Sequence, residues 1–315
     1  MSTSHAAGGD VIALDVGGTA MKGAVLGPDL VPREECRIPT GGHEGPDAVV
    51  RHVLDALAQL RGTTTGRHAV AAGLVVPGIV DPASGTAVWS ENLGWKDVPF
   101  KGLAAEHLGL PVAFGHDVRA GALAEFRVGA GAGSQVAAFV PLGTGTGVVL
   151  ALDGQPVDAG PYSGELGHID VGHDERCACG ARGCLEAICS VAALPRRYLA
   201  RRAARGFEDI HPSAVDARAV VLAAKDDHDA EAVWSEAIDG LARALAVVAS
   251  LFAPQVVILG GGLAQAAEDL TSPLADRLDA LLTFQPRPSL RLAALGDRAG
   301  CLGAGLLAHE LAASA

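Results

Sequence analysis

The chain has 315 residues, of which 49% are apolar and 19% are charged, so it can bury the core of one large domain or of two medium-sized ones. Its 24 basic and 36 acidic residues give a net charge of −12 at pH 7. Non-specific binding to nucleic acids or to anionic membranes needs clustered Lys and Arg, so this balance argues against both, but it does not exclude a local basic pocket for phosphate.

The N-terminal stretch "MSTSHAAGGD" lacks the basic region and apolar run of a signal peptide, so we expect a cytoplasmic protein. The longest apolar run (244–263) is divided by Pro254 and three glycines, and it predicts a buried helix and a buried strand rather than a membrane span. In a reducing compartment, clustered cysteines bind metal or act in catalysis more often than they form disulfides.

The first half of the chain begins with "VIALDVGGTAMKGAVL" (11–26), an apolar run, a Gly/Thr turn and a second apolar run, which is typical of a β-hairpin. The predicted elements that follow are, in chain order, a loop "RIPTGGHEGP" (37–46), a helix from Asp47 closed by Gly62, a buried strand ending at Pro77-Gly78, a short helix near 101–108, a strand "PVAFGHD" (111–117) and a helix from Val118 capped by Asp117.

The pattern restarts near Val136, where "VAAFVPLGTGTGVVLALDG" (136–154) again joins two apolar runs through a Gly/Thr turn. The predicted elements that follow are helices at 191–204, 217–224 and 230–252 and a strand at 255–259. The turns Gly17-Gly18-Thr19 and Gly143-Thr144-Gly145-Thr146 therefore occupy equivalent places in two halves. This repetition predicts two similar α/β domains with a cleft between them.

Three glycine-rich loops follow predicted strands. In "DVGGTAMK" (15–22), Gly17 and Gly18 leave backbone N–H groups open to phosphate oxygens, Thr19 adds a hydroxyl, and Asp15 is placed to hold a hydrated Mg²⁺. The loops "LGTGTG" (142–147) and "ILGGGL" (258–263) have the same character, and neither of the first two matches the Walker or the G-x-G-x-x-G pattern. An ordinary turn explains any one of them, but three in an α/β chain favour a nucleotide cleft.

Four of the six cysteines lie at Cys177, Cys179, Cys184 and Cys189, close to two histidines. One imidazole and the thiolates of Cys177, Cys179 and Cys184 make a closed set that suits a structural Zn²⁺, with His168 or His173 as the fourth ligand. The alternative is that the cysteines bind no metal. Cys189 is predicted to be a buried apolar residue.

A group of carboxylates and amides accompanies these loops: Glu91-Asn92, Asp117, Glu165 and Glu186. A folded zinc loop would gather Glu165, His168 and Glu186 around one point. Carboxylates in a polar cleft accept hydrogen bonds from several hydroxyls at once, as a sugar requires. Each of them, taken alone, is equally well explained as a solvated acidic residue.

The segments "LDVGGTAMKGAV", "GLVVPGIVD", "ENLGW", "HD", "PLGTGTG", "GELGH", "CACGARGCLE" and "ILGGGL" occur in the order seen in the ROK family of bacterial sugar kinases and sugar-sensing repressors, and the chain resembles that family over almost its whole length. The resemblance implies an actin-like ATPase fold of two RNase-H-like domains. We accordingly expect an N-terminal α/β domain (1–118), onto which a helix at about 301–315 packs back, and a C-terminal α/β domain (119–300) that carries the zinc loop.

The resemblance implies an ATP-dependent kinase that phosphorylates a hexose, usually at the 6-hydroxyl. Asp117 resembles the general base, and His168 resembles a residue that faces zinc with one ring nitrogen and the sugar with the other, which favours it over His173. The remaining sugar-binding residues implied by the family are Asn92, His116, Glu165 and Glu186. The implied Mg–ATP contacts are Asp15, Gly17, Gly18, Thr19, Lys22, Gly143, Thr144, Gly145, Thr146, Gly261 and Gly262.

Two departures from the family pattern concern the substrates. His116 stands where the family kinases usually carry Asn, and imidazole is bulkier and titrates near neutral pH. Val148 stands where a glycine often follows the second loop, which narrows the phosphate pocket. Glucose is the first choice of sugar, and N-acetylmannosamine, N-acetylglucosamine, fructose and allose are alternatives, as is polyphosphate in place of ATP.

The resemblance also implies a homodimer or homotetramer. A sugar-responsive transcriptional regulator is the rival function, but family repressors carry a DNA-binding domain ahead of the "DxGGT" segment and only fourteen residues precede Asp15 here. A non-catalytic sugar-binding remnant is a second rival, against which the retained Asp117 argues.

Overall fold

The computed structural model describes residues 8–160, 162–207 and 211–314. The chain divides into two compact units, one made of 1–125 with 297–315 and the other of 126–296. The division falls inside the helix α3 (Asp117–Val128). The domain boundary expected after residue 118 lies near the start of the same helix.

The first unit contains the strands β1 (Val11–Val16), β2 (Ala20–Leu26), β3 (Pro32–Pro39), β4 (Ala71–Val76), β5 (Ile79–Asp81), β6 (Thr86–Trp89), β7 (Lys96–Val98) and β8 (Val112–His116). One sheet has the order β3-β2-β1-β4-β8, in which β1, β2 and β3 are antiparallel and β4 and β8 continue in parallel. A small sheet joins β5, β6 and β7. The predicted hairpin is confirmed, since Asp15 pairs with Lys22 and Val16 with Met21.

Both faces of the five-stranded sheet are covered by helices. Ile12 and Leu14 face the apolar sides of α1 (Pro46–Arg61) and α2 (Phe100–Leu108), whereas Val11 and Ala13 face α9 (Ala299–Ala313). The alternation follows from the period of two along a strand. A Cβ on Gly73 of β4 would lie 1.9 Å from the carbonyl oxygen of Ala304, so glycine is needed for α9 to approach this closely.

The second unit contains the strands β9 (Val136–Pro141), β10 (Val149–Leu152), β11 (Gln155–Pro156), β12 (Val256–Gly260) and β13 (Ser289–Leu292). Its helices are α4 (Leu185–Ile188), α5 (Ala193–Ala204), α6 (Ala217–Ala223), α7 (His228–Phe252) and α8 (Glu268–Leu281). The sheet order is β11-β10-β9-β12-β13, again with three antiparallel strands followed by two parallel ones. Each unit thus has the same strand order, which confirms the predicted duplication.

Some predicted elements differ from the structure. The segment "RIPTGGHEGP" is not wholly a loop, because its first three residues complete β3, an edge strand whose half-exposed polar side chains hide the apolar alternation of a strand. The helix α7 begins at His228 instead of residue 230, since the carboxylate of Asp227 caps it by accepting the N–H groups of Asp229 and Ala230. The strand β13 and the helix α8 were not predicted.

Among the residues that the structure describes, no helix combines the length and the apolarity that a membrane span needs. The longest helix, α7, packs an apolar face that includes Val233, Leu241 and Leu245 into the core of the second unit.

Candidate active site

The first glycine loop joins β1 to β2. The N–H of Gly17 donates to the carbonyl oxygen of Ala20 at 3.2 Å and closes the turn. Gly18 and Thr19 are exposed, and neither of their N–H groups donates a hydrogen bond within the described part of the chain. Two adjacent backbone donors that face no protein acceptor are suited to phosphate oxygens.

Asp15 lies one residue before the end of β1 and is only 8% exposed. Burial, and after it the negative charge of Asp117, raise the pKa of the Asp15 carboxyl to about 6. The two carboxylates therefore belong to one neighbourhood of the first unit. Lys22, the predicted ATP contact on β2, binds the Asp297 carboxylate at 2.9 Å.

Asp117 begins α3 directly after β8, one residue earlier than the predicted helix start. Its Oδ1 accepts the N–H of Val118 at 2.7 Å, and within the described residues Oδ2 has no donor. The Nδ1 of His116 also accepts the Val118 N–H, at 3.2 Å, and lies 3.3 Å from Asp117 Oδ1. The imidazole of His116 thus lies directly beside the carboxylate of Asp117 at the start of α3.

Asn92 follows β6 and lines a cavity of about 660 Å³ within the first unit, together with Gly18 and Thr19. The lining also includes His43 and His52. A Cβ on Gly42 would lie 3.9 Å from both the Asn92 and the Gly18 carbonyl oxygens, so the segment after β3 lies against the first glycine loop.

The second glycine loop resembles the first in having exposed backbone donors. The N–H of Gly143 donates within the loop, to the carbonyl oxygen of Gly145 at 3.1 Å. Thr144 and Gly145 are exposed, and among the described residues their N–H groups have no acceptor. Each unit therefore presents two unused backbone donors just after the first glycine of its loop.

Thr146 has a different role from Thr144. Its N–H donates to Glu186 Oε2 at 2.9 Å and its hydroxyl to the carbonyl oxygen of Cys189 at 3.0 Å, so both donors are committed within the protein. The carbonyl oxygen of Thr146 accepts the N–H of Gly167 at 2.9 Å. Thr146 thus joins the glycine loop to the segments that carry Glu165 and Glu186.

The third glycine loop lies against the second. Gly261 has φ +82°, and a Cβ there would lie 2.6 Å from the carbonyl oxygen of Leu142. The N–H of Leu142 donates to the carbonyl oxygen of Gly260 at 2.8 Å. Only glycine meets both the left-handed conformation and the close approach at this position, and Gly261 and Gly262 are exposed beside the second loop.

The cysteine cluster gathers His168, Cys177, Cys179 and Cys184, whose ligand atoms all lie within 4.8 Å of one another. The Sγ atoms of Cys179 and Cys184 are 3.7 Å apart, and Cys177 Sγ is 3.7 Å from His168 Nδ1. A tetrahedral Zn²⁺ with Zn–S bonds of about 2.3 Å would hold two sulfurs about 3.8 Å apart, so the donor set fits zinc in both chemistry and spacing. The backbone N–H of Ala181 is the main cause that lowers the pKa of the Cys179 thiol to about 7.

The other nitrogen of the same imidazole faces away from the sulfurs. His168 Nε2 lies 3.9 Å from Glu165 Oε2. His173, the rival ligand, is instead engaged by Arg197 Nη2 at 3.0 Å and lies 3.6 Å from Glu236 Oε2. Cys189 is fully buried, as predicted.

Comparison with known proteins supports one assignment. The sequence matches the ROK family over residues 11–311. The chain belongs to the ROK family. A glucokinase of Halalkalibacterium halodurans is 30% identical to this ROK protein over 95% of the chain and 94% of the relative.

Two solved structures show the same fold. The ROK hexokinase of Thermus thermophilus superposes with a TM-score of 0.84 at 31% identity, covering 97% of this chain and all of the other. A ROK family glucokinase of Streptomyces griseus, solved with glucose and AMPPNP, gives a TM-score of 0.77 at 28% identity over 96% of this chain and 100% of that one. The predicted actin-like ATPase fold is thereby confirmed.

Sequence reasoning missed two residues that lie against the first loop and its aspartate. Thr40, fully buried, binds the loop through its hydroxyl and its N–H. Gly300 of α9 lies so close to Asp15 that a Cβ there would be 2.4 Å from Oδ2. Neither carries a local signal, because each reaches the loop through a tertiary contact between distant parts of the chain.

Proposed function

We propose that this ROK protein is an ATP-dependent hexose kinase that transfers the γ-phosphoryl group of ATP to a sugar hydroxyl, with Asp117 as the general base. The observation that carries the proposal is the position of Asp117 in the neighbourhood of Asp15, with its Oδ2 unengaged among the described residues. The relatives named glucokinase and hexokinase support the reaction class.

In the proposed reaction, Asp117 Oδ2 accepts the proton of the attacking hydroxyl as the new O–P bond forms and the bond from Pγ to the bridging oxygen breaks, releasing ADP. The Val118 N–H holds the other oxygen, which leaves Oδ2 to act as the base in this proposal. Phosphoryl transfer has a loose transition state, so catalysis depends on positioning and on charge neutralisation. The N–H groups of Gly18, Thr19, Thr144 and Gly145 are proposed to bind phosphate oxygens.

Two metals belong to the proposal. Asp15 would hold a hydrated Mg²⁺, which supplies positive charge to the phosphates when bound. His168, Cys177, Cys179 and Cys184 would hold a structural Zn²⁺ with no open coordination position. His168 would then be fixed through Nδ1 and would offer Nε2 to a sugar hydroxyl, next to Glu165 and in the same unit as Glu186.

Glucose is the proposed sugar, because four relatives at 30% identity are named glucokinase, whereas one at the same identity is named N-acetylgalactosamine kinase. His116 bears on this choice. The imidazole of His116 is bulkier than the amide of Asn and presents a different arrangement of hydrogen-bonding atoms. Another hexose is the alternative, and it belongs to the same reaction class.

The test is a coupled assay of ADP release with ATP and a panel of hexoses, on the wild type and on Asp117→Asn. We expect turnover with glucose to fall by at least about 10²-fold in Asp117→Asn. Sugar affinity measured by calorimetry should change little, because the amide oxygen can still accept the Val118 N–H. The matched control is Asp81→Asn, an exposed aspartate that also accepts a backbone N–H, from Ala83, and it should keep full turnover.

Near-normal turnover of Asp117→Asn would remove Asp117 from the role of base. A wild type that phosphorylates no hexose with ATP, yet binds glucose, would contradict the kinase and support a sugar-binding regulator. Phosphorylation of another hexose in preference to glucose would keep the reaction and replace the substrate.

A further inference from the structure

The first glycine loop is held by hydrogen bonds from Thr40. Thr40 directly follows β3 and is fully buried. Its hydroxyl donates to the carbonyl oxygen of Gly17 at 2.6 Å, and its N–H donates to the carbonyl oxygen of Thr19 at 3.0 Å. The hydroxyl and the N–H of Thr40 therefore bind the carbonyl groups on either side of Gly18.

These two bonds bear on the direction of the N–H groups in the loop. The Gly17 carbonyl and the Gly18 N–H belong to one peptide unit, which is planar and trans, so they point in opposite directions. Fixing the Gly17 oxygen on Thr40 turns the Gly18 N–H away from Thr40. Gly18 is exposed, and its N–H has no acceptor among the described residues. The hydroxyl of Thr40 therefore fixes the direction in which this unpaired N–H points.

Thr40 is itself supported. The ring nitrogen Nδ1 of His52, on α1, lies 3.2 Å from the carbonyl oxygen of Thr40. A carbonyl oxygen only accepts, so Nδ1 is the protonated nitrogen in this bond. A continuous series of hydrogen bonds thus runs from α1 through Thr40 to the loop.

We propose that Thr40 is a positioning residue for the nucleotide, and that its hydroxyl holds the Gly17–Gly18 peptide in the orientation in which the Gly18 N–H binds a phosphate oxygen. The inference rests on the proposed function, since it takes the loop as a phosphate site. With glycine at positions 17 and 18, the backbone of this peptide has little conformational restraint of its own. The hydrogen bond from Thr40 supplies that restraint.

Two substitutions separate the hydroxyl from the shape of the side chain. Thr40→Val keeps the branched shape and removes the donor, so the Gly17 carbonyl loses its partner and the peptide is free to rotate. Thr40→Ser keeps the donor and removes one methyl group. We expect KM for ATP to rise about tenfold in Thr40→Val and to stay within about threefold of the wild type in Thr40→Ser, a rise that corresponds to one charge-assisted hydrogen bond lost.

The decisive comparison is between the effect of Thr40→Val on the nucleotide and its effect on the sugar. In Thr40→Val, KM for the sugar should change less than about twofold, and calorimetry should show weaker binding of AMPPNP but unchanged binding of glucose. The matched control is Thr63→Val, because the Thr63 hydroxyl also donates to a backbone carbonyl of the first unit, that of Leu60 at 2.8 Å, away from the loop. This control should keep wild-type values for both substrates.

If Thr40→Val shifts the melting temperature but leaves KM for ATP and the affinity for AMPPNP unchanged, Thr40 only stabilises the fold and the proposal is overturned. Equal losses in Thr40→Val and Thr40→Ser would also overturn it, because the hydroxyl would then be irrelevant. A wild type that binds AMPPNP but has no kinase activity would refute the proposed function while leaving the Thr40 comparison measurable through binding.

Discussion

Replacing Asp15 by asparagine is expected to stabilise the magnesium-free protein while it abolishes ATP-dependent turnover. The Asp15 carboxyl has its pKa raised to about 6, first by burial and then by the charge of Asp117. A neutral amide of the same shape avoids the cost of burying that charge. The substitution therefore separates what Asp15 does for the fold from what it is proposed to do for Mg–ATP.

The sign of the effect follows from proton binding. The pKa of Asp15 is about 6 in the folded chain and has its ordinary value of 3.8 in the unfolded chain, so the folded state binds more protons between these values and loses stability as the pH rises through them. Ionisation costs roughly 3 kcal/mol at pH 7.5 and roughly 1.6 kcal/mol at pH 5, at about 1.36 kcal/mol per unit of pKa. Asp15→Asn avoids this cost, so its advantage should be about twice as large at pH 7.5.

The assay is urea unfolding without Mg²⁺ or nucleotide at pH 5.0 and 7.5, in a Trp234→Phe background so that fluorescence reports on Trp89 and Trp95 of the first unit. The control, Asp81→Asn, should show the opposite sign: a hydrogen bond from Ser84 lowers the pKa of Asp81, so its charge stabilises the folded state above about pH 4. Equal effects of Asp15→Asn at the two pH values, or a loss of stability at pH 7.5, would refute the reasoning.

Three further predictions concern the rest of the site. Removal of the proposed zinc by a chelator, or Cys179→Ala, should weaken glucose binding in calorimetry at least about tenfold, because His168 would lose the partner that orients it. His116→Asn should alter the ratio of kcat/KM between glucose and its epimers by about tenfold or more, measured in the coupled assay. Gly300→Ala should lower kcat at least about tenfold, because the added Cβ displaces the Asp15 carboxylate. The melting temperature should not fall, because alanine has a higher helix propensity than glycine.

Each of these has a clear contrary result. Zinc-free protein that binds glucose as tightly as the untreated protein would show that the cysteine cluster does not organise the sugar site. An unchanged ratio between epimers would place His116 out of contact with the sugar. Normal turnover of Gly300→Ala would mean that Asp15 has room to move, so that its exact position is unimportant.

The glycine loops were predictable because their signal is local. Two stretches, "VIALDVGGTAMKGAVL" and "VAAFVPLGTGTGVVLALDG", each specify a hairpin through strand-forming residues and a turn that needs glycine. The structure shows both hairpins at the same place in two sheets of identical order. The cysteine cluster was predictable for a related reason, since three cysteines and a histidine within seventeen residues are typical of a metal site.

The supports of the site could not be predicted, because they depend on contacts between distant segments. Thr40 follows the edge strand β3, whose polar side chains give no apolar pattern in the sequence. Nothing in the neighbouring sequence therefore indicates that Thr40 is buried. The donors of Thr146 are committed to α4 and its flank, which the motif "LGTGTG" does not specify. Local pattern thus identified the loops, while the residues that orient them emerged only from packing.

The helix α9 has a consequence for the order of synthesis. It supplies Cys301, Ala304 and Ala308 to the apolar layer that covers Val11 and Ala13, yet the whole of 126–296 separates it from the rest of its unit in the chain. During synthesis, one apolar face of the first sheet therefore stays exposed until the ribosome has made the whole second unit. The second unit can fold during this time. The first unit should accordingly complete its folding late, and ribosome-bound chains stalled before residue 297 should be protease-sensitive in that unit.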